Sequence, residues 1–201
     1  MKQQLVSGNK LLIALLSSTL LAACAPQSVA IDPNRENEKP LVLTTFTVLA
    51  DMARQVAGER LQVRSIVKPG AEIHGYEPTP SDLEKAADAD LVVENGLGLE
   101  LWANRFLRAA GKVPRLTLSE GMTPLLIEGD AYAGKPNPHA WMSPQRAMGY
   151  VDGLVAGFSQ IDPEGAANYR RNGAQYKQQL KELDQEPVSY THLRAHETIQ
   201  H

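Results

Sequence analysis

Cysteine is all but absent. The 201-residue chain has one, Cys24, which excludes an internal disulfide and any cysteine-rich zinc site. Neither sign of charge is in large excess, the formal net charge being −3. With no basic stripe, nucleic acid is not an expected partner. Residues 11–21, LLIALLSSTLL, form an apolar run, but it falls short of the roughly 20 residues a membrane-spanning helix needs. Histidine is scarce too. There are five, and none lies between residues 75 and 138.

What remains is the composition of a globular protein, 43% apolar and 21% charged. The length suits one sizeable α/β domain, or one lobe and part of another. The first 23 residues read as a signal peptide, with Lys2 and Lys10 ahead of the apolar core. LAAC, Leu21–Cys24, then has the form of a bacterial lipobox, which would make Cys24 the lipid attachment point. The competing reading is a plain secretory signal with Cys24 incidental. Residues 24–40 are polar and turn-prone, as a tether would be.

From Leu41 the pattern is regular. Leu41–Thr47 reads as a strand, and Leu49, Met52, Ala53 and Val56 then recur at helical spacing up to Gly58. Leu61–Val67 reads as a second strand. Ser81 and Glu84 have the form of a capping box opening a short helix. Leu91–Val93 follows as a strand, residues 99–110 as an amphipathic helix, and Leu116–Leu118 as a fourth strand. This alternation predicts a mainly parallel sheet with helices on both faces, over residues 41–160. Beyond a long Gly- and Pro-rich loop, Ser143 and Pro144 suit a helix start. Gly149, Gly153 and Gly157 then recur every fourth residue, the spacing of a helix face packed closely on a neighbour. Asp162-Pro163-Glu164 opens a last long helix, whose stripe is Tyr169, Gly173, Tyr176, Leu180 and Leu183.

Two of the five histidines fall in the patterned region. His74 sits in KPGAEIHGYEPTP, just past the second strand. His139 sits in NPHAWMSP, just before a helix. Each is held by proline or glycine turns, and in parallel sheets ligands bind beyond the carboxyl ends of the strands. One reading is two unrelated surface histidines. The other is two prongs of a metal site, since neutral imidazole is the commonest protein metal ligand. Asn137 could set the tautomer of such a ligand, or cap its own turn. Tyr76 and Trp141 could cover the site or belong to the core.

KPGAEIHGYEPTPSDL and GKPNPHAWMSP resemble the metal-binding receptors of manganese, iron and zinc ABC importers, the cluster A-I solute-binding lipoproteins. The resemblance covers residues 41–186. It implies two α/β lobes joined by a long helix, of which residues 161–186 would be the start, with the metal between the lobes. His74 and His139 match the two ligands of the first lobe. A carboxylate or third histidine, and then an aspartate, would come from the second. The absence of histidine between the two ligands, together with GKPNPHAWMS, is closer to the manganese/iron branch than to zinc. Mn2+ is therefore the expected ligand, with Fe2+ or Zn2+ as alternatives. The expected partner is an ABC permease. The expected place is outside the membrane on a lipid anchor, as a monomer, and no catalysis is expected. A metalloenzyme with Glu72 or Glu77 as general base, or a surface adhesin, are the competing functions.

Residues 187–201, PVSYTHLRAHETIQH, depart from that pattern and resemble translated adaptor DNA, so they are expected to be non-native. His192, His196 and His201 would be ligands only if this tail were native. With no second lobe, the stripe of the last helix is expected to lack its partner.

Overall fold

The computed structural model describes residues 38–129 and 131–185. Cys24, the expected signal peptide, most of the expected tether and the 187–201 tail lie outside the described residues. Four strands form one sheet: β1 (Leu41–Thr44), β2 (Gln62–Ser65), β3 (Leu91–Glu94) and β4 (Arg115–Thr117). Their order is β2-β1-β3-β4, and every pairing is parallel. The predicted fold class is thus the observed one. β1 and β3 are central and apolar, whereas β2 and β4 are partly exposed edges.

Alternate side chains of the central strands serve two cores, as the pleat requires. Leu41, Leu43 and Val92 pack beneath α2 (Pro80–Ala87) and α3 (Leu101–Ala109). Val42, Leu91 and Val93 pack beneath α1 (Thr47–Ala57) and α4 (Pro144–Ile161), together with Tyr169 and Leu180 of α5 (Ala166–Gln185). From β1 the chain winds one way to β2, and from β3 the other way to β4. The crevice where the direction reverses lies at the carboxyl ends of β1 and β3, the usual ligand position in such sheets.

Several boundaries differ from the sequence reading. The first strand stops at Thr44 and not at Thr47, because Phe46 is the N-cap of α1, which already opens at Thr47. Thr44 Oγ1 donates to the Phe46 carbonyl at 3.1 Å, and Thr45 Oγ1 is drawn to Glu100 at 2.8 Å. The capping box lies two residues earlier than Ser81 and Glu84. Thr79 is the N-cap and Asp82 reaches back to its N–H at 3.0 Å. Pro80 decides this: it suits the first helical position and keeps the residue before it extended.

The glycine stripe does pack closely. A Cβ at Gly157 would lie 2.8 Å from Leu116 Cδ2, and one at Gly153 3.4 Å from Leu118 Cδ2. So α4 lies against β4 and the residue just beyond it. The last helix is not bare, contrary to expectation. Tyr169, Gly173 and Leu180 are buried against α1 and α4, and of its stripe Leu183 is left exposed. Its start is fixed by Asp162, which accepts two hydrogen bonds from Arg60, at 2.6 and 2.8 Å, and one from Tyr169. Among the described residues no helix is long and apolar enough to cross a membrane.

Candidate metal centre

The loop after β2 carries His74. It is fastened on both sides of that residue. The Trp102 indole N–H donates to the Ile73 carbonyl at 2.9 Å, and the Tyr76 hydroxyl donates to Asp82 at 2.9 Å. The Tyr76 and Trp102 rings also meet edge to face at 5.1 Å. Tyr76 is therefore a brace between the His74 loop and α2, not a cover over the histidine. His74 itself is exposed.

His139 arrives from the other side, at the end of the long loop after β4. Its ring meets that of His74 edge to face, with centroids 5.4 Å apart. The two histidines, 65 positions apart in the chain, are neighbours at the carboxyl edge of the sheet. Trp141 stands behind His139 at 5.3 Å and packs on Phe46 at 5.0 Å. It thus joins the site to the core, which combines the two roles considered for it.

Asn137 also fills both of its roles. Its Oδ1 lies 3.0 Å from the His139 backbone nitrogen and 3.0 Å from His139 Nδ1. A backbone N–H can only donate, so the shared atom is the amide oxygen. Nδ1 must then carry the ring proton, which leaves the Nε2 lone pair free. Burial, and next the facing His74, push the His139 pKa below its ordinary value. Both effects favour the neutral ring a metal needs.

Beneath His139 lies a buried polar network that sequence reasoning missed. Asn95 follows β3 and is wholly buried. Its Nδ2 donates to the Pro138 carbonyl at 2.9 Å, and its Oδ1 accepts from the Tyr150 hydroxyl at 2.5 Å. Glu100 is 5% exposed and accepts from the N–H groups of Asn95 and Gly96 and from Thr45 Oγ1. Burial raises the Glu100 pKa against the opposing pull of those donors. The available signals were Asn-Gly straight after a buried strand and an acid in the apolar run GLGLELW, where a buried carboxylate needs partners.

Glu72 and Glu77 are exposed. Glu72 is occupied by the backbone N–H of His74 at 2.8 Å. Among the described residues, no group of three or more His, Cys, Asp and Glu side chains converges. Among the described residues the structure therefore brings two imidazoles together, with no third His, Cys, Asp or Glu beside them.

Residues 42–190 match the family described as zinc-uptake complex component A, periplasmic. The iron-binding protein YfeA of Yersinia pestis is 42% identical over 171 residues, which is 85% of this chain and 53% of that protein. The manganese ABC transporter substrate-binding lipoprotein PsaA of Streptococcus pneumoniae is 33% identical, over 92% of this chain and 60% of that protein. The Mn-bound periplasmic metal binding protein of Candidatus Liberibacter asiaticus superposes with a TM-score of 0.64 at 31% identity. It covers 70% of this chain and 53% of that one. The Zn(II)-bound ZnuA-like domain of Streptococcus pneumoniae AdcA gives 0.65 at 30% identity, over 73% and 54%. The chain thus spans between about half and three fifths of the length of these relatives.

Proposed function

The chain belongs to the zinc-uptake complex component A family of periplasmic metal-binding receptors, and from that premise we propose that it is the first, ligand-presenting lobe of a receptor for an ABC metal importer. The receptor captures a divalent ion outside the membrane and passes it to a permease. His74 and His139 are the ligands of this lobe, and the remaining ligands come from the part of the family's length that this chain does not span. Cys24 is the lipid attachment site that keeps the receptor at the membrane.

The observation that carries this reading is the pairing of the two imidazoles. Metal–imidazole bonds are about 2.1 Å long, so two rings on one ion have centres on the order of 5–6 Å apart. The observed centroid separation is 5.4 Å. The rings are also braced by Trp102, Asn137 and Asn95, which lowers the ordering cost of binding.

The ion is Mn2+ or Fe2+. The iron and manganese relatives named above support this, as does the lack of any histidine between residues 75 and 138. Two imidazoles completed by carboxylates suit these harder ions. A third imidazole would favour Zn2+ in their place, and the Zn(II)-bound structural relative keeps that alternative in view. The site is for capture and not for turnover. A catalytic metal needs an open position and a base beside it, and Glu72 is already held by its own loop.

Titration calorimetry with Mn2+, anaerobic Fe2+ and Zn2+ tests the reading. Binding that is lost in both His74→Ala and His139→Ala supports it. Binding that survives either substitution unchanged overturns it.

A further inference from the structure

We infer that Asn95 and Tyr150 are positioning residues for the metal site. They act through the Pro138 carbonyl to hold His139 in the orientation and tautomer that present Nε2. This rests on the reading of His139 as a ligand.

His139 stands at the end of a long excursion from β4, and such a loop has many ways to place its last residues. The residue before it is Pro138, which has no N–H to offer the scaffold. Its carbonyl is therefore the handle for the peptide that joins it to His139, between the Asn137 N–H held by the Leu125 carbonyl at 2.7 Å and the His139 carbonyl held by the Met142 N–H at 3.1 Å. Asn95 Nδ2 takes that handle at 2.9 Å and also donates to the Gly96 carbonyl at 2.9 Å. Asn95 cannot swivel, because Tyr150 donates to its Oδ1 and so fixes which end of the amide faces Pro138. Tyr150 is wholly buried on α4.

The turn that presents Asn95 is itself tightly specified. Leu97 has φ +53°, a left-handed conformation that a branched side chain seldom adopts. A Cβ at Gly96 would lie 2.5 Å from both Ser119 Oγ and Thr117 Cγ2. Glu100 then closes the turn from beneath, with Thr45 tying it to β1. Strain of this kind persists where the surroundings over-determine it, and it concentrates at functional sites. All the groups of this assembly are satisfied: among the described residues no buried side-chain nitrogen or oxygen lacks a partner. The assembly joins β1, β3 and α4, the rigid elements around the crevice, to the single carbonyl beside His139.

The consequence is geometric. Freed from Asn95, the peptide after Pro138 can rotate, and the Asn137 oxygen can no longer meet the backbone nitrogen and Nδ1 of His139 together. The ring then samples both tautomers and several headings. Partners of this outer kind are worth roughly 10–100-fold in metal affinity.

The test uses the whole chain labelled with 15N at histidine, and Zn2+ as the diamagnetic probe. Tyr150→Phe removes one hydroxyl with little change of volume, and Asn95→Ala removes the clamp. Asp162→Asn, which loosens the Arg60 junction far from the site, controls for general loss of stability. The expected result is a single Nδ1–H tautomer for His139 in the parent chain and in Asp162→Asn, a mixture in Tyr150→Phe, and Zn2+ binding weakened about tenfold in Tyr150→Phe. Asn95→Ala, if it folds, should weaken binding further. A Tyr150→Phe chain with one His139 tautomer and parental Zn2+ affinity overturns the inference, as does a loss no larger than that of Asp162→Asn. If Zn2+ leaves the His74 and His139 resonances of the parent chain unmoved, the receptor reading fails and the inference fails with it.

Discussion

Asn137 Oδ1 stands 3.0 Å from the backbone nitrogen of His139 and 3.0 Å from its Nδ1. One oxygen therefore serves as turn cap and as tautomer lock. Asn137→Ala should weaken metal binding by roughly tenfold or more, with little loss of stability, because the turn is partly solvated. Asn137→Asp keeps an acceptor in the same place and should retain most of the affinity. Titration calorimetry on the two variants separates these outcomes. Equal losses in both would show that the oxygen does not act on the ring.

On the proposed reading the two imidazoles make only part of a coordination sphere. No third His, Cys, Asp or Glu joins them among the described residues. The affinity of this chain for Mn2+ should therefore be about micromolar or weaker, since a site with half its ligands leaves water to complete the shell. His74→Ala and His139→Ala should each remove most of it. Nanomolar Mn2+ binding by this chain, measured calorimetrically, would contradict the expectation.

The fold was legible in the sequence where a single periodicity dominated. β1 and β3 are buried on both faces and read as plain apolar runs, and the stripe Gly149, Gly153, Gly157 correctly announced a helix laid against a neighbour. His74 and His139 stood out because proline and glycine held each in a stiff loop. The reading failed where side chains compete with the backbone. Phe46 and Thr47 look like strand residues, yet Thr44 Oγ1 bonds the Phe46 carbonyl and Phe46 caps the helix that opens at Thr47. Ser81 looks like a cap, yet Pro80 moves the helix start to Thr79. The network of Asn95, Glu100 and Tyr150 was missed because, although Asn95 and Glu100 share the turn after β3, each has its distant partner 55 positions away, Tyr150 for Asn95 and Thr45 for Glu100. Only the folded sheet brings them beneath Pro138. The stripe of the last helix misled for a related reason: its apolar residues were expected to lack a partner, but α1 and α4 cover most of them.

Two helical glycines should respond to alanine with opposite signs. In both cases alanine gains about 0.8–1 kcal/mol of helix propensity. At Gly173 the new Cβ would sit 2.6 Å from Val155 Cγ2. Valine is stiff about χ1 and sits on α4, so the overpacking cost of about 1–3 kcal/mol should exceed the gain. At Gly149 the nearest atom is Met122 Cε at 3.3 Å, the end of a flexible side chain. Gly149→Ala should therefore stabilise by up to about 1 kcal/mol, and Gly173→Ala should destabilise by up to about 2 kcal/mol. Urea melts of the two variants check the signs. A stable Gly173→Ala chain would mean that α4 and α5 are free to move apart.

The Arg60–Asp162 junction should govern stability on the acid side. The Arg60 guanidinium, above all, holds the Asp162 carboxyl below its usual range. Tyr169 and the Gly165 N–H add to this, and burial opposes it. A carboxylate whose pKa is depressed on folding adds stability above its unfolded pKa of about 3.9, and that stability fades as pH falls through the folded value. The parent chain should thus lose stability steadily below about pH 4. Asp162→Asn cannot titrate, leaves Arg60 with a neutral partner, and should be less stable than the parent at pH 7. The gap between the two should narrow as the medium is acidified, since the parent loses at low pH what the variant never had. Thermal melts at pH 7, 5 and 3 read the gap directly. A difference that stays constant across that range would mean that Asp162 keeps an ordinary pKa and that the junction holds α5 through its packing and not through its charge.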